Sequence, residues 1–152
     1  MIPSIEIVNP AGASRFFESA ENLAARTHFG VEKSLWKSGK GVVGEFNKQV
    51  LAKDKKGRIY IRRNAAGSRR RHRASAAGQT AANRTGFYRK RTSFIVNQGA
   101  SPQLTIGNSA EYAGFLELGT SRMKARPGLL NSINASQRDI MRNFTTDILD
   151  EI

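Results

Sequence analysis

Between residues 53 and 91 the chain carries 14 of its 25 Lys and Arg residues and a single acid, Asp54. This block constrains the fold more than any other feature. Its central part, residues 64 to 84 (NAAGSRRRHRASAAGQTAANR), has no large apolar side chain and cannot bury a face of its own. The flanks are close to neutral. Residues 1 to 52 hold six bases and five acids, and residues 92 to 152 hold five bases and six acids. The expectation is one domain whose core comes from the flanks, with a basic segment added between them. Charge gathered in this way points to a polyanion, an acidic partner surface or ordered assembly rather than to a small-molecule enzyme.

With 39% apolar residues spread over 152 positions, that core is small, and neighbouring subunits often complete such cores. The absence of cysteine excludes disulfides and thiolate metal sites, and fits a cytosolic or virion protein. The opening MIPSIEIVNP does not read as a signal peptide. No apolar run approaches the roughly 20 residues that span a bilayer, so no membrane partner is expected.

Hydrophobic periodicity divides the flanks into elements. Ile5, Ile7 and Val8 suggest a short strand or arm, broken at Asn9-Pro10. Ser14 is a plausible N-cap for a helical period that runs through Phe17, Leu23, Val31 and Leu35, then resumes at Val42, Phe46 and Val50. Residues 12 to 52 therefore read as one long helix, or two in line with a kink near Gly39 to Gly41. Lys53 to Gly57 reads as a solvated turn, Ile59 to Ile61 as a short strand, and residues 64 to 84 as a long loop, mobile until it meets a partner. TSFIVN (92 to 97) and QLTIG (103 to 107) read as a hairpin turning at Gly99 to Pro102. EYAGFLEL (111 to 118) reads as a short helix ended by Gly119, and a basic loop (120 to 126) follows. Pro127 suits the first turn of a last helix whose apolar stripe is Leu129, Leu130, Ile133, Ile140, Phe144, Ile148 and Leu149. The fold class is α+β: a long N-terminal helix, a small mainly antiparallel sheet, a C-terminal helix, and the basic segment (53 to 91) as an extended loop or hairpin arm.

Candidate chemistry is sparse. His28, on the long helix, reads as a surface or partly packed residue. His72 lies in an arginine run with no nearby acid but Asp54. Glu111 and Glu117 fall on different helix faces, and Asp139, Asp147, Asp150 and Glu151 read as a solvated face. Trp36, Phe16, Phe17, Phe29 and Phe46 read as core or subunit-contact residues, and Leu116, Leu118, Leu129 and Leu130 as core. No catalytic residue, cofactor or metal site is assigned. The candidate partner-binding residues are Arg58, Arg62, Arg63, Arg69, Arg70, Arg71 and Arg73, with Arg89, Lys90 and Arg91 further on. They suit electrostatic contact with DNA phosphates, docking on acidic protein surfaces, or a solvated loop that binds nothing in particular. Few aromatics accompany them, which argues against stacking on single-stranded bases.

Residues 111 to 133, EYAGFLELGTSRMKARPGLLNSI, carry a more specific pattern: Tyr112-Ala113, Glu117-Leu118-Gly119-Thr120, Met123 and Ala125-Arg126-Pro127. Upstream stand Gly57-Arg58-Ile59-Tyr60, His72-Arg73-Ala74-Ser75-Ala76 and Ala82-Asn83-Arg84-Thr85-Gly86. Together these resemble the tailed-phage neck or tail-completion family, typified by the tail-component protein of a lambda-like coliphage. The long N-terminal helix is also that family's arrangement. Gly128 after the proline, Ala77 and the Phe87-Tyr88 pair depart from the pattern. The resemblance implies a structural protein of the virion neck, assembled in the host cytoplasm. It implies a ring with copies of itself, such as a hexamer, that contacts head-connector or stopper and tail-tube proteins and possible packaged DNA. A non-specific DNA-binding protein is the alternative. Read physically, Gly119, Thr120 and Pro127 make a helix–turn–helix connection with no nucleophile–base pair, which is architecture.

Overall fold

The structure, a computed structural model, describes residues 10–63 and 65–151. The strand expected around Ile5 to Val8 and the side chains of Phe16 and Phe17 lie outside the described residues. The order is α1 (Pro10–Leu51), β1 (Ile59–Arg63), β2 (Arg69–Arg73), α2 (Phe87–Lys90), β3 (Thr92–Asn97), β4 (Gln103–Asn108), α3 (Ala113–Leu118) and α4 (Leu129–Leu149). This is the expected α+β arrangement, with the sheet divided into two antiparallel two-stranded pairs, β1–β2 and β3–β4. Among the described residues no helix is long and apolar enough to cross a membrane.

α1 is one helix of 42 residues. It begins at Pro10, where a missing N–H is harmless, so Ser14 lies inside the helix rather than at its cap. Its glycines are contact points instead of breaks. A Cβ on Gly30 would lie 2.8 Å from the Asp147 carbonyl oxygen, and one on Gly39 would strike the Phe94 ring. α4 and β3 therefore rest directly on the α1 backbone at these two positions, and that packing offsets the weak helix propensity of glycine.

α4 runs antiparallel along α1, with Gly30 beside Asp147 at one end and Phe46 against Gly128 at the other. The expected apolar stripe is only partly covered: Leu129, Ile140, Phe144 and Ile148 are half-buried. The buried residues of α4 are Ser132, Ser136 and Asp147, opposite Ser34 and Ser38 of α1, while Leu130, Ile133, Met141 and Leu149 are exposed. Small side chains let the helices approach closely. Ser132 returns its hydroxyl proton to its own helix at Gly128 O (2.7 Å), whereas the one Ser34 hydroxyl proton has three acceptors in reach, Gly30 O (2.9 Å), Asn143 O (3.1 Å) and Asp147 Oδ2 (3.2 Å). Pro127 and Gly128 precede the first helical residue, so the proline stands just outside α4 rather than in its first turn.

The apolar core is small, as composition suggests. Phe46, Val50, Ala81, Tyr88, Ala110 and Ala113 form it, with Leu116 and Leu129 packed against it. Phe46 meets Tyr88 edge to face at 5.2 Å, and Trp36 meets Phe94 at the same separation where β3–β4 covers α1. Leu118, read as core, is instead 86% exposed, and Leu130 and Phe29 are also exposed. The turn between β3 and β4 is tied to α1 by a His28 Nε2 hydrogen bond to Gly99 O (2.8 Å).

Candidate functional site

The basic block separates into two parts with different roles. Residues 59 to 73 form a hairpin in the register Ile59↔Arg73, Tyr60↔His72, Ile61↔Arg71, Arg62↔Arg70 and Arg63↔Arg69. Every β1 residue is exposed, as is every β2 residue except the half-buried His72. The arginine run, expected within a long loop, is thus a strand. Arg58, Arg62, Arg63, Arg69, Arg70, Arg71 and Arg73 are all exposed on this arm, with no acid among residues 58 to 73. Ile59, Tyr60 and Ile61 are exposed on it as well. Two arginine pairs sit directly opposite each other, which is repulsive, and a lone two-stranded hairpin is marginally stable in water.

Residues 74 to 91 do not belong to the arm. Ala74, Ser75, Thr80 and Ala81 are buried: Ala74 and Ser75 pack against Gly57, Ala81 joins Phe46 and Val50 in the core, and Thr80 lies between Gln49 of α1 and Asn131 of α4. Polar bonds stitch the segment down. Gly78 N–H donates to Ala125 O (2.9 Å), Gln79 Oε1 accepts from the N–H groups of Lys56 and Ala76, and Thr80 Oγ1 donates to Gln49 Oε1 (2.7 Å). The expectation of mobility fails here because it counted large apolar residues and ignored what small ones can fill. Arg89, Lys90 and Arg91 sit on and after α2, away from the hairpin; Arg89 is half-buried, and the Arg91 guanidinium lies 4.9 Å from the centre of the Phe87 ring.

Lys55, placed by sequence in a solvated turn, is buried. Its ammonium donates to Gln49 O (2.6 Å) at the end of α1 and to Thr80 O (3.0 Å), capping the helix C-terminus. Burial pushes its pKa below the ordinary lysine range, with the charge of Asp54 acting the other way. A lysine beside an Asp in a glycine-bounded turn gives no sign of this in sequence.

The motif residues converge on the start of α4. Glu117 Oε1 accepts from Tyr88 Oη (2.9 Å), Gly128 N–H (2.8 Å) and Leu129 N–H (2.8 Å). A carboxylate from α3 thereby caps α4, which has no side-chain cap of its own. Burial, and then the bond to this carboxylate, raise the Tyr88 pKa far above the ordinary phenol range. Gly119 has φ 80° and ψ −176°, a region essentially reserved for glycine, and a Cβ there would lie 2.8 Å from Ala125 N and Met123 O. Thr120 Oγ1 accepts from Arg122 and Met123 N–H, and Arg126 N–H donates to Leu116 O (2.7 Å). Gly119→Ala is expected to lower stability by about 2 kcal/mol, read as a shift of the urea midpoint at unchanged slope. Ala113 lies in the core, Tyr112 is exposed beside Phe87, and Thr85 Oγ1 accepts from Phe87 N–H (3.3 Å) ahead of α2. Gly86, at φ 80°, precedes the same helix.

Gly128 and Tyr88 fit one another. A Cβ at Gly128 would lie 2.7 Å from the Phe46 ring and 3.0 Å from Tyr88 Oη. Tyr88 fills the space that a larger residue at 128 would need.

Asp147, expected on a solvated face, is wholly buried against α1. Lys37 and Ser34 (3.2 Å) hydrogen-bond it, and Lys33 lies 3.9 Å away. Burial opposes its ionisation, but these donors and charges outweigh burial and hold its pKa below the ordinary carboxylate range.

No family model matches the chain, and no curated protein or solved structure matches it.

Proposed function

We propose that this chain is a structural protein of a tailed-phage neck, forming a ring that joins the head connector to the tail tube. The observation that carries this reading is the β1–β2 hairpin: six arginines with Arg58 just before it, no acid, and no third strand paired to it among the described residues. Its repulsive pairs stabilise the free arm poorly, and an acidic surface on a neighbouring ring would neutralise them. The body supports a partner role too. Residues 18 to 26 of α1 are exposed where the helix extends past Gly30, which already abuts the end of α4. Leu23 and Phe29 on α1, and Leu130, Ile133, Met141 and Leu149 on α4, offer apolar faces to other copies. The motif of residues 111 to 133 then serves as the hinge-free corner that sets the angle between α3 and α4. The protein acts by binding, in the virion neck, after assembly in the host cytoplasm.

One feature favours the second reading, non-specific DNA binding: a two-stranded ribbon has the width to enter a major groove. A single experiment separates the two. The full chain is tested against purified connector and tail-tube proteins and against duplex DNA at physiological salt. The neck reading expects protein capture, fast amide exchange in residues 59 to 73 that slows on capture, and loss of binding by at least about tenfold when Arg69, Arg70, Arg71 and Arg73 become serine. Tight duplex binding with a log–log salt slope near 0.9 per neutralised phosphate, and no capture of connector or tube protein, would overturn it.

A further inference from the structure

At the base of the hairpin lies a cavity of about 440 Å³ lined by residues that include His72, Ser75, Arg84, Tyr112, Leu116 and Arg126. No acid lines it, and neither Arg84 nor Arg126 forms an ion pair among the described residues. Glu117, the acid on the neighbouring helix α3, already accepts three hydrogen bonds through one oxygen. Ser75 is 1% exposed, and its hydroxyl has no hydrogen-bond partner among the described residues. A buried unsatisfied hydroxyl is unfavourable unless something arrives to accept from it. Two guanidinium groups and a waiting donor around one concavity ask for an anion.

The walls indicate which kind. Alanines, Leu116 and the rings of Tyr88 and Tyr112 make much of the surface, and the volume lies in the range of sites that take an organic group. A bare phosphate would leave most of it empty, and the backbone of a duplex is too stiff and convex to enter. We infer that this cavity is a socket for an acidic side chain, displayed on a short protein segment, with Arg84 and Arg126 holding the carboxylate and Leu116 and Tyr112 its carbon chain. This deepens the protein-docking reading of the hairpin and rests on it: His72 belongs to both, so a partner gripped by the arm is led to the socket.

The test uses the full-length, isotope-labelled chain and three probes: a blocked peptide of alternating Glu and Leu, the same peptide with Gln for Glu, and inorganic phosphate. Expected are saturable amide shifts at Ser75, Arg84, Tyr112 and Arg126 with the Glu peptide, and binding at least about tenfold weaker with the Gln peptide. Phosphate should not saturate. The double variant Arg84→Ala/Arg126→Ala should lose about tenfold in affinity with the hairpin signals unmoved, and Ser75→Ala, which leaves the guanidinium groups in place, should lose a smaller factor. Equal binding of both peptides, shifts confined to residues 59 to 73, no binding of the Glu peptide, or saturation by phosphate overturns the socket. Capture of connector or tube protein tells the two failures apart. If the double variant captures as well as the parent while the Arg69-to-Arg73 serine variant does not, the socket is wrong and the arm stands. If the serine variant still captures, the docking reading itself fails.

Discussion

Glu117→Ala is expected to destabilise the fold by about 4 kcal/mol, a fall of roughly 8–16 °C in melting temperature for a chain of this size. One oxygen of this carboxylate serves three donors, and all three lose their partner together. Tyr88 Oη is enclosed by Phe46 and Gly128, so water reaches it poorly, and the first N–H groups of α4 lose both a hydrogen-bond acceptor and a favourable charge at the helix N-terminus. Glu117→Gln keeps one acceptor oxygen without the charge and should cost about half as much. Tyr88→Phe in the alanine background should recover part of the loss, since it removes the stranded hydroxyl. Calorimetry on the four proteins decides the matter: equal melting temperatures for the parent and the alanine variant would show that the carboxylate does not hold the α3–α4 corner.

Lys37→Met is expected to cost about 3 kcal/mol at pH 7 and to reverse the pH dependence of stability. Asp147 is fully buried, whereas Lys37 and Lys33 reach solvent, so the acid is the partner that cannot escape. In the parent the folded-state pKa of Asp147 lies below its unfolded value of about 3.9. The stability this adds is present above pH 4 and is lost as pH falls through the folded pKa. Without Lys37, burial prevails over the remaining donors and the folded pKa rises above the unfolded one. The carboxyl then prefers to be protonated in the folded state, so the variant should be more stable near pH 5 than at pH 7. Urea titrations of both proteins between pH 3 and 8 measure this, and parallel curves would refute the assignment of Lys37 as the compensating charge.

These two residues also mark how far the sequence could be read. Glu117 stood within a recognisable motif, but its partners were not legible, because Tyr88, Gly128 and Leu129 meet it only after α2, α3 and α4 have packed. Asp147 looked like one of several acids on a solvated face, since a carboxylate at a helical position carries no mark of the lysine one helix away. The arginine run was visible at once, and a hairpin arm was one of the two forms expected for its segment, but the sequence did not choose between loop and hairpin: arginine has no strong β-preference, and the hairpin exists through pairing with Ile59 to Arg63. The β3–β4 hairpin was legible because alternation and a five-residue turn state it locally. Much of the lining of the cavity at the hairpin base, from His72 to Gly86 with Tyr112 and Arg126, lies in the motif segments, but that these enclose one space was not legible, because only packing brings them together.

Sequence alone determined that α1 would be a long helix and that positive charge would gather in one central block; the flanks supply most of the core, but Ala81 and Tyr88 of that block complete it. Periodicity, turn residues and charge are local properties, so the chain declares them without its fold. Tertiary structure decided which residues of α4 face α1. The closest approach of two helices belongs to small side chains, so Ser132, Ser136 and Asp147 were buried, while of the stripe that periodicity nominated Leu129, Ile140, Phe144 and Ile148 are half-buried and Leu130, Ile133 and Leu149 are exposed. It also decided that residues 74 to 81 pack on the body rather than hang free, because the surfaces that Gly57, Gln49 and Asn131 offer them exist only once the helices have met.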